Sequence, residues 1–223
     1  IQTETSLKEA HQNLALANEK LLVMGGIVRH DIANKLNVLN MKAYLAKKDR
    51  DLEGLLNSTQ TVCAQIRRVI EFSRDYEMLG KEALGYINVG RAFDEVAALF
   101  PDTNLQVINE CREVEVLADS LLKELLYNLV DNTLKYGQTA TQIRLSHTLE
   151  GGHLKLTYED NGRGIPAEIK PRLFTKGAGQ GSGLGLYLIK KTAEVYGWNI
   201  EETGTEGKNA KFTLTIPQKN YKQ

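Results

Sequence analysis

The sequence predicts two domains of different class, an all-α helical hairpin over residues 1–80 and an α+β domain, an α/β sandwich, over residues 86–223. Two observations predict this division. From Thr3 to Lys48 there is no proline, glycine occurs only as Gly25-Gly26, and apolar residues recur at helical spacing. Beyond Gly85, strand-like and helix-like stretches alternate, the pattern of a mixed sheet with helices packed on one face.

In the first domain Leu7, Leu14, Leu21 and Val28 recur every seven residues with Ala10 and Ala17 between them, the seam of a helix that wants a partner helix. A short break, "KKDRD", leads to a second helix from about Leu52 to Leu79, with Leu55, Leu56, Val62, Ile66, Val69, Ile70 and Phe72 as its apolar positions. Two long helices with a tight connection form an antiparallel hairpin. Alone it exposes too much apolar surface, so two copies are expected to pair into a four-helix bundle, making the protein a homodimer. "LGKEALG", Leu79 to Gly85, reads as a hinge.

In the second domain a helix is expected from Val89 to Phe100, ended by Pro101, then strands at Leu105–Asn109 and Glu113–Leu117. Asp119 is a suitable N-cap for a helix reaching Lys135. "TQIRLSHTL" and "HLKLTYED" flank Gly151-Gly152 as a hairpin. A glycine-studded loop precedes a helix from Leu184 to Tyr196 closed by Gly197, and "WNIEET" and "AKFTLTIP" supply the last strands.

Composition narrows the function. Lysine plus arginine and aspartate plus glutamate number 28 each, so nothing argues for nucleic acid or an anionic membrane surface as partner. No apolar run approaches the ~20 residues that span a bilayer. The opening "IQTETSLKEA" has neither an initiator Met nor a signal-peptide core. It reads as a cytoplasmic fragment of something longer, attached to a membrane only through a missing upstream region. Cys63 and Cys111 fit no metal or redox spacing and read as free thiols.

Four polar constellations remain. On a helical wheel at ~100° per residue, Leu21, Met24, Val28, Ile32, Lys35, Leu36, Leu39 and Ala43 form one stripe. His30 lies opposite it, beside Asp31 and one turn from Asn34. A solvent-facing histidine is ordinary by itself, and acquires meaning only if the rest of the chain supplies chemistry that needs an exposed imidazole. The helix "DSLLKELLYNLVDNTLKYG" buries Leu122, Leu125, Leu126, Leu129 and Thr133 and shows Glu124, Asn128, Asp131 and Lys135 opposite, with Asn132 on the flank. Asparagine is a mediocre helix former, yet two at this spacing offer carbonyl oxygens to a cation or amides to phosphate. "EDNGRGIP" ends a strand with Asp160, whose carboxylate can accept from an exocyclic amine, and Gly162 and Gly164 permit a tight turn close to a ligand. In "TKGAGQGSGLGLYLIKK", glycines alternate up to the start of an apolar helix. This is a flap whose helix-start amides can meet phosphates, although it matches neither the P-loop nor the Rossmann spacing.

Taken in order, "HDIAN", "NLVDNTLKYG", "DNGRGIP", "LFTKG" and "GQGSGLGLYLIK" resemble the sensor histidine kinases of two-component signalling. The resemblance covers nearly the whole chain. It implies a dimerising, phosphoacceptor helical hairpin followed by a GHKL-type ATP-binding domain, with ATP and Mg²⁺ as cofactors and a response-regulator receiver as partner. Under it His30 is the phosphoacceptor, Asp31 accepts from the imidazole Nδ1, and Asn34 positions water for dephosphorylating the partner. Asn128 ligates Mg²⁺, and Asn132, Lys135 and Tyr136 contact phosphates and nucleotide. Asp160 reads the adenine amine with Gly162 and Gly164 shaping its pocket, and Gly181, Gly183, Leu184 and Gly185 form the lid and helix start.

The chain departs from the family at Lys35, where many members have proline, and at Glu124, where related ATPases carry a water-activating base. The last glycine motif, "GTEGKNAKF", is degenerate and reads only as a loop. A GHKL ATPase or protein serine kinase with His30 incidental, and a non-catalytic nucleotide-binding scaffold, are the competing functions.

Overall fold

The computed structural model describes residues 29–49, 51–78, 81–101, 103–175 and 185–222, and divides into two compact units, residues 1–77 and 78–223. The heptad positions Leu7, Leu14, Leu21 and Val28 lie outside the described residues, as do Gly177, Gly179, Gly181, Gly183 and Leu184.

The first unit contains α1 (Arg29–Asp49) and α2 (Leu52–Met78). Asp51 stops the chain between them, its Oδ1 accepting from the Gly54 N–H at 2.8 Å and so capping α2. The covered positions of α1 are Ile32, Lys35, Leu39, Ala43 and Ala46, and those of α2 include Leu55, Thr59, Val62, Ile66, Val69 and Ser73. Both sets step by three or four residues, as a helix–helix seam requires. Lys35 belongs to the seam, where its Nζ donates to Gln65 Oε1 at 3.3 Å. Leu36 departs from its predicted stripe: it is 46% exposed, because one helix–helix contact covers only a narrow strip of each surface. Met41, Tyr44, Leu52, Leu56 and Ile70 also stand exposed on this unit.

The second unit runs β1 (Gly85–Asn88), α3 (Val89–Ala97), β2 (Gln106–Asn109), β3 (Glu115–Ala118), α4 (Leu121–Tyr136), β4 (Gln142–Glu150), β5 (His153–Asp160), α5 (Gly185–Val195), β6 (Asn199–Glu202), β7 (Ala210–Pro217) and β8 (Tyr221–Lys222). A 3₁₀ turn at Lys170–Arg172 follows β5. The main sheet has the order β2-β4-β5-β7-β6, with β2 parallel to β4 and the other pairs antiparallel. The β4–β5 hairpin turns through Gly151 and Gly152, both at positive φ. One face of the sheet carries Ile143, Leu145, Leu154, Leu156, Tyr158, Phe212, Leu214 and Ile216. They share one core with Phe93, Leu122, Leu125, Leu126, Leu129 and Ile189 of the helices. The opposite face holds Arg144, Lys155, Thr157, Glu159 and Thr215, so the helices cover one side only.

The sequence patterning missed the small antiparallel sheet β1-β3-β8, because its outer strands are too short to show a period. It also placed the α4 cap one residue early. Ser120 holds the cap position without a side-chain bond, while Asp119 Oδ1 accepts from the Leu121 N–H at 3.0 Å and from the Tyr196 hydroxyl. Gly197, at φ +71°, closes α5 as expected. Among the described residues no helix is long and apolar enough to cross a membrane.

Candidate functional site

The site assembles at the end of β5. Alternation along this strand turns Leu154, Leu156, Tyr158 and Asp160 to the core, so the last inward residue is a carboxylate, 4% exposed. A buried carboxylate needs donors. Oδ1 accepts from the Gly162 N–H at 2.9 Å and the Ala210 N–H at 3.3 Å, and Oδ2 accepts from Thr133 Oγ1 at 2.6 Å. Asn161 ties the turn to the segment after α4: its Oδ1 accepts from the N–H groups of Thr141 and Gln142 at 2.8 and 2.9 Å.

Gly162 and Gly164 are set by close packing. A Cβ on Gly162 would lie 2.6 Å from the Gly137 carbonyl oxygen and 3.0 Å from Asp160 Oδ1. Gly164 has φ +68°, and its Cβ would lie 2.7 Å from the Asn209 carbonyl oxygen. The loop of the degenerate motif therefore buttresses this turn, with Gly207 N–H donating to the Arg163 carbonyl at 2.6 Å and Asn209 Nδ2 to Glu159.

Helix α4 presents its polar residues beside that turn. Asn128 Nδ2 donates to the Glu124 carbonyl at 2.8 Å, which fixes the amide and leaves Oδ1 without a hydrogen-bond partner among the described residues. Asn132 Nδ2 is buried and likewise unpartnered among them, a donor whose desolvation no described residue offsets. Lys135 pairs with Asp131 one turn back, and Tyr136 is half-buried at the helix end. Gly185, the first residue of α5, approaches closely: a Cβ there would meet Asn128 Oδ1 at 2.9 Å. Asn128 and Gly185 thus meet at the start of α5, while Asp160, Gly162 and Gly164 share the end of β5 and its turn, tied to α4 through Thr133, the sequence neighbour of Asn132. An open amide oxygen suits a hard cation, an orphaned amide donor suits an anion, and a carboxylate suits an amine. Among the described residues no group of three or more His, Cys, Asp or Glu could hold a metal, so Mg²⁺ here would rely on Asn128 Oδ1 and on ligand oxygens.

Thr133 and Tyr158 were not singled out as site residues from sequence, although a threonine in a leucine stripe and a tyrosine in an aliphatic strand face were the available signals. In the first unit His30 and Asp31 fall in the first turn of α1, of which the backbone alone is described, and Asn34 is exposed one turn on.

Residues 118–220 match the family "Histidine kinase-, DNA gyrase B-, and HSP90-like ATPase". The second unit therefore defines this chain as one with an ATPase domain of GHKL type. The sensor histidine kinase GraS of Staphylococcus haemolyticus is 32% identical over 127 residues, 53% of this chain and 34% of that protein. The sensor-like histidine kinase SenX3 of Mycolicibacterium smegmatis is 31% identical over 217 residues, 86% of this chain and 56% of that protein. The fold is that of the histidine kinase ThkA, solved in complex with the response regulator protein TrrA, with a TM-score of 0.66, 18% identity, and coverage of 96% of this chain and 67% of that one. The relatives that the chain resembles in sequence on both sides of its unit boundary are sensor histidine kinases, and residues 118–220 carry the GHKL-type domain. The chain spans about a third of the length of the first curated relatives it matches, with shares of 34%, 29% and 36%.

Proposed function

We propose that this chain is the kinase core of a two-component sensor: it transfers the γ-phosphoryl group of ATP to His30 and from there to an aspartate on a response-regulator receiver. The observation that carries the reading is the placement of an open Asn128 Oδ1 and an orphaned Asn132 amide on α4, the helix that Thr133 ties to the Asp160 carboxylate at the end of β5, three groups that answer the metal, the phosphates and the base of one ligand. The histidine kinase relatives and the response regulator bound to ThkA support the same two steps.

In this reading Asp160 accepts from the base amine, Asn132 with Lys135 and Tyr136 holds the phosphates, and Asn128 lends its amide oxygen to Mg²⁺. The metal supplies charge neutralisation at the phosphates when bound. Gly181, Gly183, Leu184 and Gly185 let the lid and helix start come close to the triphosphate. His30 Nε2 forms the new N–P bond as the bond to the departing ADP oxygen breaks, and Asp31 steadies the resulting imidazolium through Nδ1. Asn34 orients water for the reverse task, dephosphorylation of the receiver. The domains are the hairpin, residues 1–80, and the ATP-binding domain, residues 86–223. The working form is a homodimer. Exposed Met41, Tyr44, Leu52, Leu56 and Ile70 give a second hairpin an apolar face to cover.

Incubation with Mg²⁺ and γ-labelled ATP, followed by mapping of the modified residue, tests the proposal. Acid-labile, alkali-stable label on His30, lost in His30→Gln, is the expected result. Acid-stable label, or ATP turnover indifferent to His30, would overturn it in favour of a GHKL ATPase or serine kinase.

A further inference from the structure

Two hydroxyls stand behind the Asp160 carboxylate where an apolar core has no use for them. Thr133 is 3% exposed and Tyr158 0%, in the core between α4 and the sheet. Buried hydroxyls are tolerated when hydrogen-bonded, and these two bond to each other at 2.8 Å.

The direction of the chain of bonds follows from valence. Thr133 has one proton and gives it to Asp160 Oδ2 at 2.6 Å. Its oxygen must then accept from the Tyr158 phenol. Burial pushes the phenol far above its usual pKa, so it keeps the proton it donates. The order is Tyr158 to Thr133 to Asp160.

A carboxylate offers about four acceptor positions. Oδ1 receives Gly162 and Ala210 N–H, and Oδ2 receives Thr133. Among the described residues one position therefore stays open, on Oδ2. It can take one donor hydrogen, such as that of a 6-amino purine. A 6-oxo purine would instead set a carbonyl oxygen against the carboxylate.

We propose that Thr133, backed by Tyr158, is a specificity-determining positioning residue: it holds Asp160 with a single acceptor position open and so selects 6-amino over 6-oxo purine nucleotides. The proposal rests on the reading of Asp160 as the group that meets the base. Without the Thr133 hydroxyl, Oδ2 has a second open position and space for a water. Water can turn a donor or an acceptor toward the base, and discrimination falls.

The test is the ratio of dissociation constants for ATP and for ITP, which carries a 6-oxo group, measured on the whole chain with Mg²⁺. Wild type, Thr133→Ala, Thr133→Ser and Tyr158→Phe are compared, with melting temperature recorded alongside. The preference for ATP is expected to fall about tenfold in Thr133→Ala and about threefold in Tyr158→Phe, and to stay within about twofold of wild type in Thr133→Ser. A purely structural role would weaken both nucleotides alike and leave the ratio unmoved, and that result overturns the proposal. Should Thr133→Ala not fold, an unchanged ratio in Tyr158→Phe overturns it equally. Wild type that binds neither nucleotide would bring down the nucleotide reading itself, whereas wild-type binding with an unmoved ratio removes the relay alone.

Discussion

Lys170 Nζ lies 2.7 Å from the Glu202 carboxylate, whose side chain is 1% exposed. The same ammonium donates to the Gly204 carbonyl at 2.5 Å, and Glu202 Oε1 accepts from the N–H groups of Gly204 and Lys211 at 2.9 and 3.2 Å. One ion pair therefore clips the 3₁₀ turn after the DNGRG segment to the loop that supports Gly164.

Removing one partner should cost more than removing both. Lys170→Met leaves a buried carboxylate uncompensated, a loss of about 3–5 kcal/mol in unfolding free energy. The double variant Lys170→Met with Glu202→Gln should recover much of that loss, because the neutral amide oxygen still accepts from the Gly204 and Lys211 N–H groups. Urea denaturation of the two variants checks this, and a single variant within ~1 kcal/mol of wild type would contradict it.

Gly185→Ala puts a Cβ 2.9 Å from Asn128 Oδ1, whose amide cannot swing away without giving up its bond to the Glu124 carbonyl. The expected result is a higher Mg²⁺ requirement, by about tenfold, with metal-free ADP affinity changed by less than about threefold. Titrating nucleotide binding against Mg²⁺ separates the two effects, and an unaltered metal requirement would remove Asn128 as the metal ligand.

The two thiols should differ sharply in reactivity. Cys63 is exposed, whereas burial and the neighbouring Glu110 charge push the Cys111 thiol from near 9 up to about 12. A disulfide reagent at neutral pH should titrate one thiol in the native protein and a second only after denaturation. Because the folded pKa is raised, the stability linked to this proton is complete below pH 9 and is lost as pH rises toward 12. Buried Tyr158 and Tyr196 shift in the same direction. Urea midpoints should therefore fall between pH 9 and 11 and fall less in Cys111→Ala; a flat profile would count against it.

Asn34→Ala should slow dephosphorylation of the receiver about tenfold or more while leaving the rate of His30 labelling within about threefold. Equal losses in the two assays would refute a role confined to positioning water.

Much of the site was legible because its chemistry is written in residue type. Asparagines on a helix, a carboxylate at a strand end and paired glycines are costly choices unless something uses them. Asn128, Asn132, Asp160, Gly162 and Gly164 were all singled out as candidates this way. Thr133 was read as core because periodicity sees a buried position and not what its hydroxyl meets. Lys170, Glu202 and Asn209 left no signal, since their partners stand some 30 to 50 residues away in the chain.

By itself the sequence determined the order of the helices and of the main-sheet strands in the second unit, the β4–β5 turn and the residue types of the site. Those depend on spacing and composition, which are local. Tertiary structure alone decided that β2 runs parallel to β4, that Leu36 stays exposed, and that the loop at Asn209 closes over Gly164. It alone aligned two core hydroxyls behind Asp160. Each of these outcomes rests on desolvation and hydrogen-bond satisfaction between distant segments, quantities that exist only once the chain has packed.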